Sequence, residues 1–379
     1  MPGVTGPHPA VAAVRTAVRV SVADLVDPAR ASGSGRTGPG TAAGAHAPLV
    51  LVACSGGADS LALAGALAFV APRSGLRAGA LTVDHGLQEQ SARRARELAE
   101  RLRATPRLDP VEVLTVVVGT GGGPEAAARS ARYAALCSAA ERTGAAAVLL
   151  GHTLDDQAET VLLGLARGSG TRSLSGMAAR RGIFRRPLLG LRREVTRAAC
   201  AATGTPVWDD PDNTDPRFAR VRVRTRLLPV LEEELGPGVA AALARTATAA
   251  RADADALDVL ATELWTLAGG GVRPSADRPA ADCTGVAGTG LNCTGVASSG
   301  LDCTVLAGAP AALRRRVLRA AALGAGSAAS GLTAGHVDAL ESLVLAWHGQ
   351  RGVDLPGAVT ARRTAGRLVF TARTTPVPR

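Results

Sequence analysis

The sequence contains no lysine, since all 43 of its basic residues are arginine. This excludes a mechanism that needs a Schiff-base lysine or the lysine of a phosphate-binding P-loop. Aromatic residues make up only 2% of the chain, and no apolar run reaches the roughly 18 residues of a membrane-spanning helix. Charged residues, including Arg15, Arg19 and Asp24, interrupt any signal-peptide core in residues 1–30. We therefore expect a cytoplasmic protein that does not contact a membrane.

Acidic residues are fewer than basic ones. The sequence has 32 Asp and Glu residues and 43 arginines, which gives a formal net charge of +11 at pH 7. Arginine binds phosphate through parallel hydrogen bonds, so this excess favours a polyanionic partner such as nucleic acid. An arginine-rich genome would explain arginine in place of lysine, but not the excess of base over acid. The six cysteines are widely spread, which is typical of reduced thiols in a cytosolic protein.

The first half of the chain alternates between strand-like and helix-like segments. The apolar pattern predicts strands at 49–54, 78–84, 111–118 and 146–150, and helices near 59–71, 91–104, 124–142 and 155–167. This alternation predicts an α/β fold, with a Rossmann-like parallel sheet and helices on both faces. The later pattern predicts helices near 192–202, 217–235, 239–268, 311–323 and 333–347, and then short strands. A mostly helical second domain should therefore follow the sheet.

This pattern divides the chain into three regions. Residues 1–48 contain a helix over 9–25 and a flexible linker, residues 49–215 form the α/β domain, and residues 216–379 form the arginine-rich helical region. Residues 270–310 hold a tandem repeat of period ten, with Cys283, Cys293 and Cys303 in register. Zinc ligands lie two to four residues apart or pair with histidine. The repeat therefore favours a flexible insertion over a metal site.

The turn "SGGADS" (55–60) follows the first predicted strand and opens a helix. Gly56 and Gly57 let the backbone approach a ligand closely, and the free N–H groups of the helix start can bind phosphate without a lysine. The turn matches neither the P-loop motif nor the dinucleotide-binding motif. A carboxylate at Asp59, beside bound phosphates, suits a bridging Mg²⁺.

Polar residues also follow the second and fourth predicted strands. Asp84 and His85 lie at the carboxyl end of the second strand, where open parallel sheets bind ligands. After the fourth strand, Asp156 and Glu159 are three residues apart in the first turn of a helix and share a face, with His152 just before them. An acidic pair at this position also complements the helix dipole. The neighbouring histidine nevertheless favours a functional site.

Taken together, these motifs resemble those of the tRNA(Ile)-lysidine synthetases, a family of the N-type ATP pyrophosphatases. The resemblance covers about Leu49 to Leu235, and residues 308–371 resemble the substrate-binding domain of the family. It is carried by SGGADS, VDHGL, GHTLDDQAET, RPLL, the turn with Trp208, Asp210 and Asn213, and the R-x-R-x-R-x-x-LLP run.

The resemblance implies an ATP-dependent ligase that acts on tRNA(Ile) with a CAU anticodon. In this family ATP adenylates the C2 oxygen of the cytidine at the first anticodon position and releases pyrophosphate. The ε-amine of free L-lysine then attacks C2 and releases AMP, which gives lysidine. The implied small molecules are therefore ATP, Mg²⁺ and lysine, without an organic prosthetic group.

The resemblance also assigns roles to residues. It places Ser55, Gly56, Gly57, Ala58, Asp59 and Ser60 on the ATP phosphates, with Asp59 as a Mg²⁺ ligand and Asp84 and His85 near the nucleotide. Asp156 and Glu159 would bind the lysine amine, with Asp156 as candidate base. Arg220 and Arg224, one helical turn apart, would bind phosphate of ATP or tRNA. The implied catalytic set is Asp59, Asp156, Glu159, Arg220 and Arg224.

Two other functions stay open on the sequence. A tRNA thiolase with the same ATP fold would use a cysteine pair or an iron–sulfur cluster, whereas Cys54, Cys137 and Cys200 are isolated. A non-catalytic RNA-binding protein with a decayed ATP fold should have lost acidic residues of the site, yet all are present. The sequence does not decide whether the chain forms a homodimer.

Overall fold

The computed structural model describes residues 6–26, 47–84, 86, 90–117, 124–168, 171–210, 213–271, 300–329 and 331–372. The chain divides into two compact units, the first ending at Thr248 and the second beginning at Ala249. None of the helices in these described ranges is long and apolar enough to cross a bilayer.

The first unit is built on a six-stranded sheet with the strand order β3-β2-β1-β4-β6-β5. Its strands are β1 Leu49–Ala53, β2 Arg77–Asp84, β3 Leu108–Thr115, β4 Ala145–Leu150, β5 Arg180–Arg181 and β6 Phe184–Arg185. Neighbouring strands are parallel except for the pair β5–β6. The predicted parallel sheet is confirmed, and only the two-residue strands, which are too short to carry a pattern, were missed.

Helices cover this sheet. They are α1 Pro9–Val22, α2 Ala58–Val70, α3 Ser91–Arg103, α4 Pro124–Thr143, α5 Leu154–Ala166, α6 Thr171–Leu174, α7 Arg193–Ala202, α8 Ala219–Arg222 and α9 Leu228–Glu234. A π-helical turn, Val223–Leu227, separates α8 from α9. The helix predicted over 217–235 is therefore interrupted. The next helix, α10 Val239–Leu267, contains the boundary between the two units.

Both faces of the sheet are buried by helices. Val50 and Val52 of β1 pack in one core with residues of α1, α2 and α7, whereas Leu49 and Leu51 pack in another with residues of α4. Alternate side chains of a strand point to opposite faces, so a strand buried on both sides is apolar throughout, as in LVLVA. The predicted layering of helices on both faces is confirmed.

The N-terminal helix α1 belongs to this core. Its Val14, Val18 and Val22 recur every four residues and are buried on one face. Just after the helix, Asp24 accepts hydrogen bonds from Arg180 at 2.6 Å and from Arg185 at 3.0 Å. These ion pairs attach the end of α1 to the β5–β6 edge of the sheet.

The strand order also places the ligand site. β1 lies between β2 and β4, so the winding of the chain reverses at β1, and open parallel sheets bind ligands at the carboxyl ends of strands at such a point. The segments after β1 and β4 meet there. A Cβ on Gly151, the residue after β4, would lie 3.1 Å from the Ser60 amide nitrogen. Glycine at this position therefore permits the close approach.

The second unit is mostly helical, as predicted, with a small antiparallel sheet. Its helices after α10 are α11 Cys303–Gly308, α12 Ala311–Gly324 and α13 Ala334–Leu345. Its sheet has the order β7-β10-β9-β8, formed by β7 Leu301–Asp302, β8 Val353–Leu355, β9 Val359–Thr364 and β10 Arg367–Ala372.

The last copy of the tandem repeat is part of this second unit. Asp302 caps α11 by accepting a hydrogen bond from the Thr304 amide at 2.7 Å, and Cys303 is buried in the core. The repeat pattern predicted a flexible insertion up to residue 310, but residues 301–308 form β7 and α11 instead. The earlier copies, with Cys283 and Cys293, lie outside the described residues.

Candidate active site

The turn after β1 is organised around the hydroxyl of Ser60. This hydroxyl accepts a hydrogen bond from the Ser55 amide at 3.1 Å and donates one to the Gly57 carbonyl at 2.9 Å. Its side chain is buried, whereas Ser55 is exposed. Ser60 therefore shapes the turn from the inside, whereas Ser55 is exposed and its hydroxyl lies 3.4 Å from that of Ser60.

Two backbone features make the turn suited to an anion. Gly56 has a φ of +89°, a conformation that favours glycine, and its carbonyl accepts a hydrogen bond from the Trp208 amide at 3.1 Å. Helix α2 then begins at Ala58 with Gly57 as N-cap, and no side-chain hydrogen bond caps it. Its first N–H groups and the positive end of its dipole are thus directed to the carboxyl edge of the sheet.

Asp59, in the first turn of α2, faces α7. The Thr196 hydroxyl donates a hydrogen bond to Asp59 Oδ1, and Arg193 Nε lies 3.5 Å from Oδ2. Burial raises the pKa of Asp59 above its ordinary value, although the Thr196 hydrogen bond and Arg193 oppose this effect. Asp59 thus lies within the anion-binding turn, and contacts with Thr196 and Arg193 connect it to α7.

Asp84 lies at the end of the neighbouring strand β2 and is buried. Its Oδ1 accepts a hydrogen bond from the Gly86 amide at 3.0 Å, which fixes the start of the following turn. His85 lies outside the described residues. Its predicted place beside the nucleotide therefore stays a prediction.

Two acidic residues at the start of α5, Asp155 and Asp156, form hydrogen bonds that cap helix ends. Thr153 is the N-cap; its amide donates to Asp156 Oδ2 at 2.8 Å, and the Asp156 amide donates to Thr153 Oγ1 at 3.4 Å. Asp155 Oδ2 accepts a hydrogen bond from the Arg193 amide at 2.7 Å and so caps the start of α7. This capping leaves Asp156 Oδ1 directed away from its own helix end, to the arginines described next.

Glu159 is fully buried, with 0% of its surface exposed. Arg224 donates to both of its carboxylate oxygens, Nε to Oε1 at 2.7 Å and Nη2 to Oε2 at 3.1 Å. Arg220 Nε lies 3.7 Å from Oε2, and Arg224 Nη2 lies 3.4 Å from Asp156 Oδ1. A buried carboxylate needs such partners, because an unpaired buried charge is costly. The structure thus brings together Asp156, Glu159, Arg220 and Arg224, four of the five residues in the catalytic set that the resemblance implies.

Arg193, which the sequence analysis did not single out, lies at the centre of this cluster. Its Nη2 is 2.9 Å from Asp156 Oδ1 and 3.6 Å from Glu159 Oε1, in addition to the contact with Asp59. Burial alone would lower the pKa of Arg193, but the surrounding carboxylates raise it. The sequence feature that could have identified Arg193 is its position at the start of a helix. The helix dipole disfavours a cation there unless another group binds it.

In this cluster five carboxylates pair with four arginines: Asp59, Asp155, Asp156, Glu159 and the exposed Glu194 with Arg192, Arg193, Arg220 and Arg224. Burial alone would raise the pKa of Asp156, but Arg193, the Thr153 amide, His152 and Arg224 hold it below its ordinary value. The side chains of Arg220 and Arg224 are 32% and 26% exposed, against 0% for Glu159. An arriving ligand therefore meets the guanidinium groups first.

A second group of arginines surrounds Tyr133 on α4, and the sequence analysis missed it. Arg129 Nη2 and Arg186 Nη2 donate to the Tyr133 hydroxyl at 3.3 and 3.2 Å. The neighbouring Arg132 forms no ion pair within the described residues, and burial lowers its pKa. Burial would raise the pKa of Tyr133, but Arg129 and Arg186 lower it. The helix after β3 starts at the ligand edge of a parallel sheet, so arginines in its first turns were a usable signal.

His152 lies between the two groups. Burial lowers its pKa to about 3, more than Asp156 raises it, and Arg186 and Arg132 lower it further. The imidazole is therefore neutral at pH 7. Its Nδ1 is buried and has no hydrogen-bond partner in the described part of the chain. The site thus offers a neutral ring nitrogen beside cations that are not all neutralised by carboxylates.

Comparison with known proteins identifies two family domains in the chain. The PP-loop domain matches residues 40–231, which include the turn after β1 and both arginine groups. The TilS substrate binding domain matches residues 301–369 of the second unit.

Relatives match over nearly the whole chain. The tRNA(Ile)-lysidine synthase of Streptomyces coelicolor is 54% identical and covers 96% of this chain and 99% of its own length. That of Thermobifida fusca is 53% identical and covers 97% of this chain and 99% of its own. Among solved structures, the U34-tRNA thiolase NcsA from Methanococcus maripaludis, with its 4Fe-4S cluster, matches with a TM-score of 0.46 and 16% identity. It covers 63% of this chain and 78% of that one.

Proposed function

Because the chain belongs to the tRNA(Ile)-lysidine synthase family, we propose that it uses ATP to attach free L-lysine to tRNA(Ile) with a CAU anticodon. The lysine ε-amine replaces the C2 oxygen of the cytidine at the first anticodon position, and ATP becomes AMP and pyrophosphate. The observation that carries this proposal is the position of Arg193. Its guanidinium contacts Asp59, beside the anion-binding turn, and also Asp156 and Glu159.

The chemistry needs an activated oxygen. The C2 oxygen of a cytosine ring is a poor leaving group, whereas AMP is a good one. The first step forms a bond from the C2 oxygen to the α-phosphorus of ATP and breaks the bond to pyrophosphate. In the second step the amine adds to C2, the bond from C2 to the AMP oxygen breaks, and the amine loses a proton. Both steps develop negative charge on phosphate, which fixed cations stabilise.

ATP is proposed to bind with its phosphates on the turn formed by residues 55–60. The uncapped start of α2, the φ of +89° at Gly56 and the exposed Ser55 support this placement. Asp84, at the end of β2, and His85 after it are proposed to lie near the nucleotide.

Mg²⁺ fits the residues present at this turn. No group of three His, Cys, Asp or Glu side chains suited to a metal lies within the described part of the chain. Mg²⁺ usually binds through one or two carboxylates and the substrate phosphates, so it does not need such a group. We assign Asp59 as the protein ligand. When bound, the ion would neutralise charge on the pyrophosphate leaving group.

Lysine is proposed to bind at Asp156 and Glu159. The lowered pKa of Asp156 keeps its carboxylate ionised at pH 7, which suits binding of an ammonium group. Asp156 is also the proposed acceptor of the amine proton during attack on C2. Glu159 is fully buried and bound by Arg224, so its part in lysine binding requires the arginines to turn toward phosphate when the substrates bind.

The target nucleotide is proposed to bind beside Tyr133. Arg129, Arg132 and Arg186 supply cations for its phosphates without a competing carboxylate among the described residues. His152 Nδ1, buried and unpaired among those residues, would hydrogen bond with the base. The second unit would contact the body of the tRNA. A methionine tRNA can carry the same CAU anticodon, so contacts to the anticodon alone cannot exclude that tRNA. We also propose that this reaction takes place in the cytoplasm.

The cysteines do not support the thiolase alternative. Cys54, Cys137, Cys200 and Cys303 are buried free thiols. Burial raises the pKa of Cys54, Cys200 and Cys303, which disfavours the reactive thiolate. Sulfur transfer by these residues is therefore not proposed.

The test is incorporation of labelled lysine into two transcripts, an isoleucine tRNA and a methionine tRNA, both with a CAU anticodon. ATP and Mg²⁺ are present, and pyrophosphate is followed in parallel. We expect label only in the isoleucine transcript, with one pyrophosphate released per lysine incorporated. Release of pyrophosphate on RNA without incorporation of lysine would contradict the proposal and indicate a different nucleophile.

A further inference from the structure

The loop after α13 exposes an aromatic side chain in a chain that has few of them. The sequence contains three tryptophans. Trp265 is fully buried, and Trp208 packs beside Gly56 at the active site, but Trp347 is 39% exposed. An exposed tryptophan offers a flat apolar surface with a polar N–H, and tryptophan is enriched at interfaces, so the surroundings of Trp347 decide which partner it suits.

Hydrogen bonds hold this loop in one conformation. The His348 amide donates to Gln350 Oε1 at 2.8 Å, and Gln350 Nε2 donates to the Ala346 carbonyl at 3.0 Å. At the end of the loop, a Cβ on Gly352 would lie 2.6 Å from the Ala361 carbonyl oxygen, and the φ of Gly352 is +119°. The loop therefore packs closely against β9, and its hydrogen bonds fix the backbone on either side of Trp347.

Cations accompany the ring. Arg363 of β9 donates to the Leu343 and Val344 carbonyls at 3.2 and 3.0 Å, and its Cζ lies 5.8 Å from the centre of the Trp347 ring. Arg351 is exposed in the same loop, and no ion pair or hydrogen bond joins it to any described residue. A guanidinium over a tryptophan face is a cation–π contact, and it leaves part of the ring open.

Carboxylates near this surface are already bound elsewhere. On α13, Glu341 pairs with Arg314 at 2.8 Å and Asp338 pairs with Arg315 at 2.6 Å. Asp354, in β8, accepts a hydrogen bond from Thr360 at 2.7 Å. Arg351 and Arg363 form no ion pair with a described residue, so the loop and the neighbouring strand add positive charge to this surface. This favours a partner with phosphates over a protein surface with mixed charges.

We infer that Trp347 stacks on a base of the bound RNA, while Arg351 contacts a neighbouring phosphate. An exposed, rigid aromatic ring beside arginine is the combination by which proteins bind unpaired bases or the end of a helix. The inference rests on the proposed function, because it takes tRNA as the polyanion, and it adds a contact in the second unit that is separate from the chemistry.

The test measures the Kd of the full-length protein for the isoleucine transcript. Stacking on one aromatic ring corresponds to about a 5- to 150-fold change in Kd. We therefore expect Trp347→Ala to raise Kd within this range, and Trp347→Phe to stay within about threefold of the wild type. Arg351→Gln should reduce the dependence of log Kd on log salt by about one.

Leu345→Ala is the matched control, because Leu345 is also exposed (52%) at the end of α13 but cannot stack on a base. It should leave Kd unchanged. Trp347→Ala and Arg351→Gln should raise the KM for tRNA, but not change the KM for ATP or kcat, whereas Leu345→Ala should change none of the three. This separates a binding contact from general damage to the fold.

Two results would overturn the inference. One is an unchanged Kd for Trp347→Ala with an unchanged melting temperature. The other is loss of self-association in both Trp347→Ala and Leu345→Ala without a change in Kd, which would show that this surface is a protein–protein interface.

The experiment also separates this inference from the proposed function. If the wild-type protein binds RNA through Trp347 but incorporates no lysine, the proposed reaction is wrong and the RNA contact at Trp347 is supported. If lysine is incorporated but Trp347→Ala does not change Kd, the RNA contact at Trp347 is wrong and the proposed function is unaffected.

Discussion

Arg224 binds Glu159 through both carboxylate oxygens, at 2.7 and 3.1 Å, and this carboxylate is fully buried. The pair joins the π-helical turn after α8 to α5, so it connects the last part of the first unit to the sheet edge. Arg193 and Arg220 also lie within 3.7 Å of Glu159, so this carboxylate contacts three guanidinium groups, two of which it shares with Asp156.

Glu159→Gln should therefore destabilise the first unit. Removing one partner of a buried ion pair leaves uncompensated charge and costs about 3–5 kcal/mol. The free energy of unfolding in urea measures the effect. Glu194→Gln is the control, because that carboxylate pairs with Arg192 at 3.4 Å but is 76% exposed, and loss of such an exposed pair should change stability by less than about 1 kcal/mol. Equal stability of the two variants would contradict the role given to Glu159.

Gly56→Ala should impair the anion-binding turn. An alanine at a φ of +89° costs about 1–2 kcal/mol, and relief of that strain would move the turn and weaken ATP binding by at least tenfold. Gly65→Ala, in the exposed middle of α2 with open space around it, should instead stabilise the protein by up to about 1 kcal/mol. ATP binding by calorimetry and thermal unfolding distinguish the two. Normal ATP affinity in Gly56→Ala would contradict the assignment of the turn.

Protonation of Asp59 should reduce activity at acid pH. Its folded pKa is raised by burial, so the ionised form that Mg²⁺ needs is present above that pKa and is lost as pH falls through it. His152, with a pKa of about 3, stays neutral above pH 5 and adds no limb there. The profile of kcat/KM therefore falls toward acid pH above the ordinary aspartate range. His152→Gln should lower activity and keep this limb; its disappearance in that variant would assign the limb to His152.

Asp24 should make the attachment of α1 sensitive to acid. Its pKa is lowered to about 2, chiefly by the Arg185 hydrogen bond. A lowered carboxylate pKa gives stability that is fully present above the unfolded value near 4 and is lost as pH falls toward 2. Thermal unfolding should show a smaller acid-induced loss between pH 4 and 2 in Asp24→Asn than in the wild type. Parallel curves would contradict this role of the ion pair.

Much of the sheet and its ligand edge was predictable from the sequence, because β1 and β4 are short apolar runs next to polar motifs. The start of β3 was not. The predicted strand covered 111–118, but β3 is Leu108–Thr115 and includes Pro110, which is tolerated because β3 is an edge strand.

The site was predictable only in part, for a physical reason. Asp59, Asp156 and Glu159 lie in motifs that follow predicted strands, so topology brings them together. Arg193 and Arg186 reach the site through tertiary contacts, 34 and 27 residues beyond Glu159 in the chain. No local period encodes such a contact: the RPLL motif contains Arg186 but does not indicate its contact with Tyr133, and the one signal for Arg193 was its position at the start of a helix.

The most direct measurement follows pyrophosphate and lysidine together in a single turnover with Asp156→Asn. The account predicts that this variant folds normally, releases pyrophosphate on isoleucine tRNA at a rate within about tenfold of the wild type, and transfers almost no lysine. Glu194→Gln should match the wild type in both readouts. Near-normal lysine transfer by Asp156→Asn would contradict the assignment of this carboxylate to the amine, and with it the placement of both steps around the Arg193 cluster.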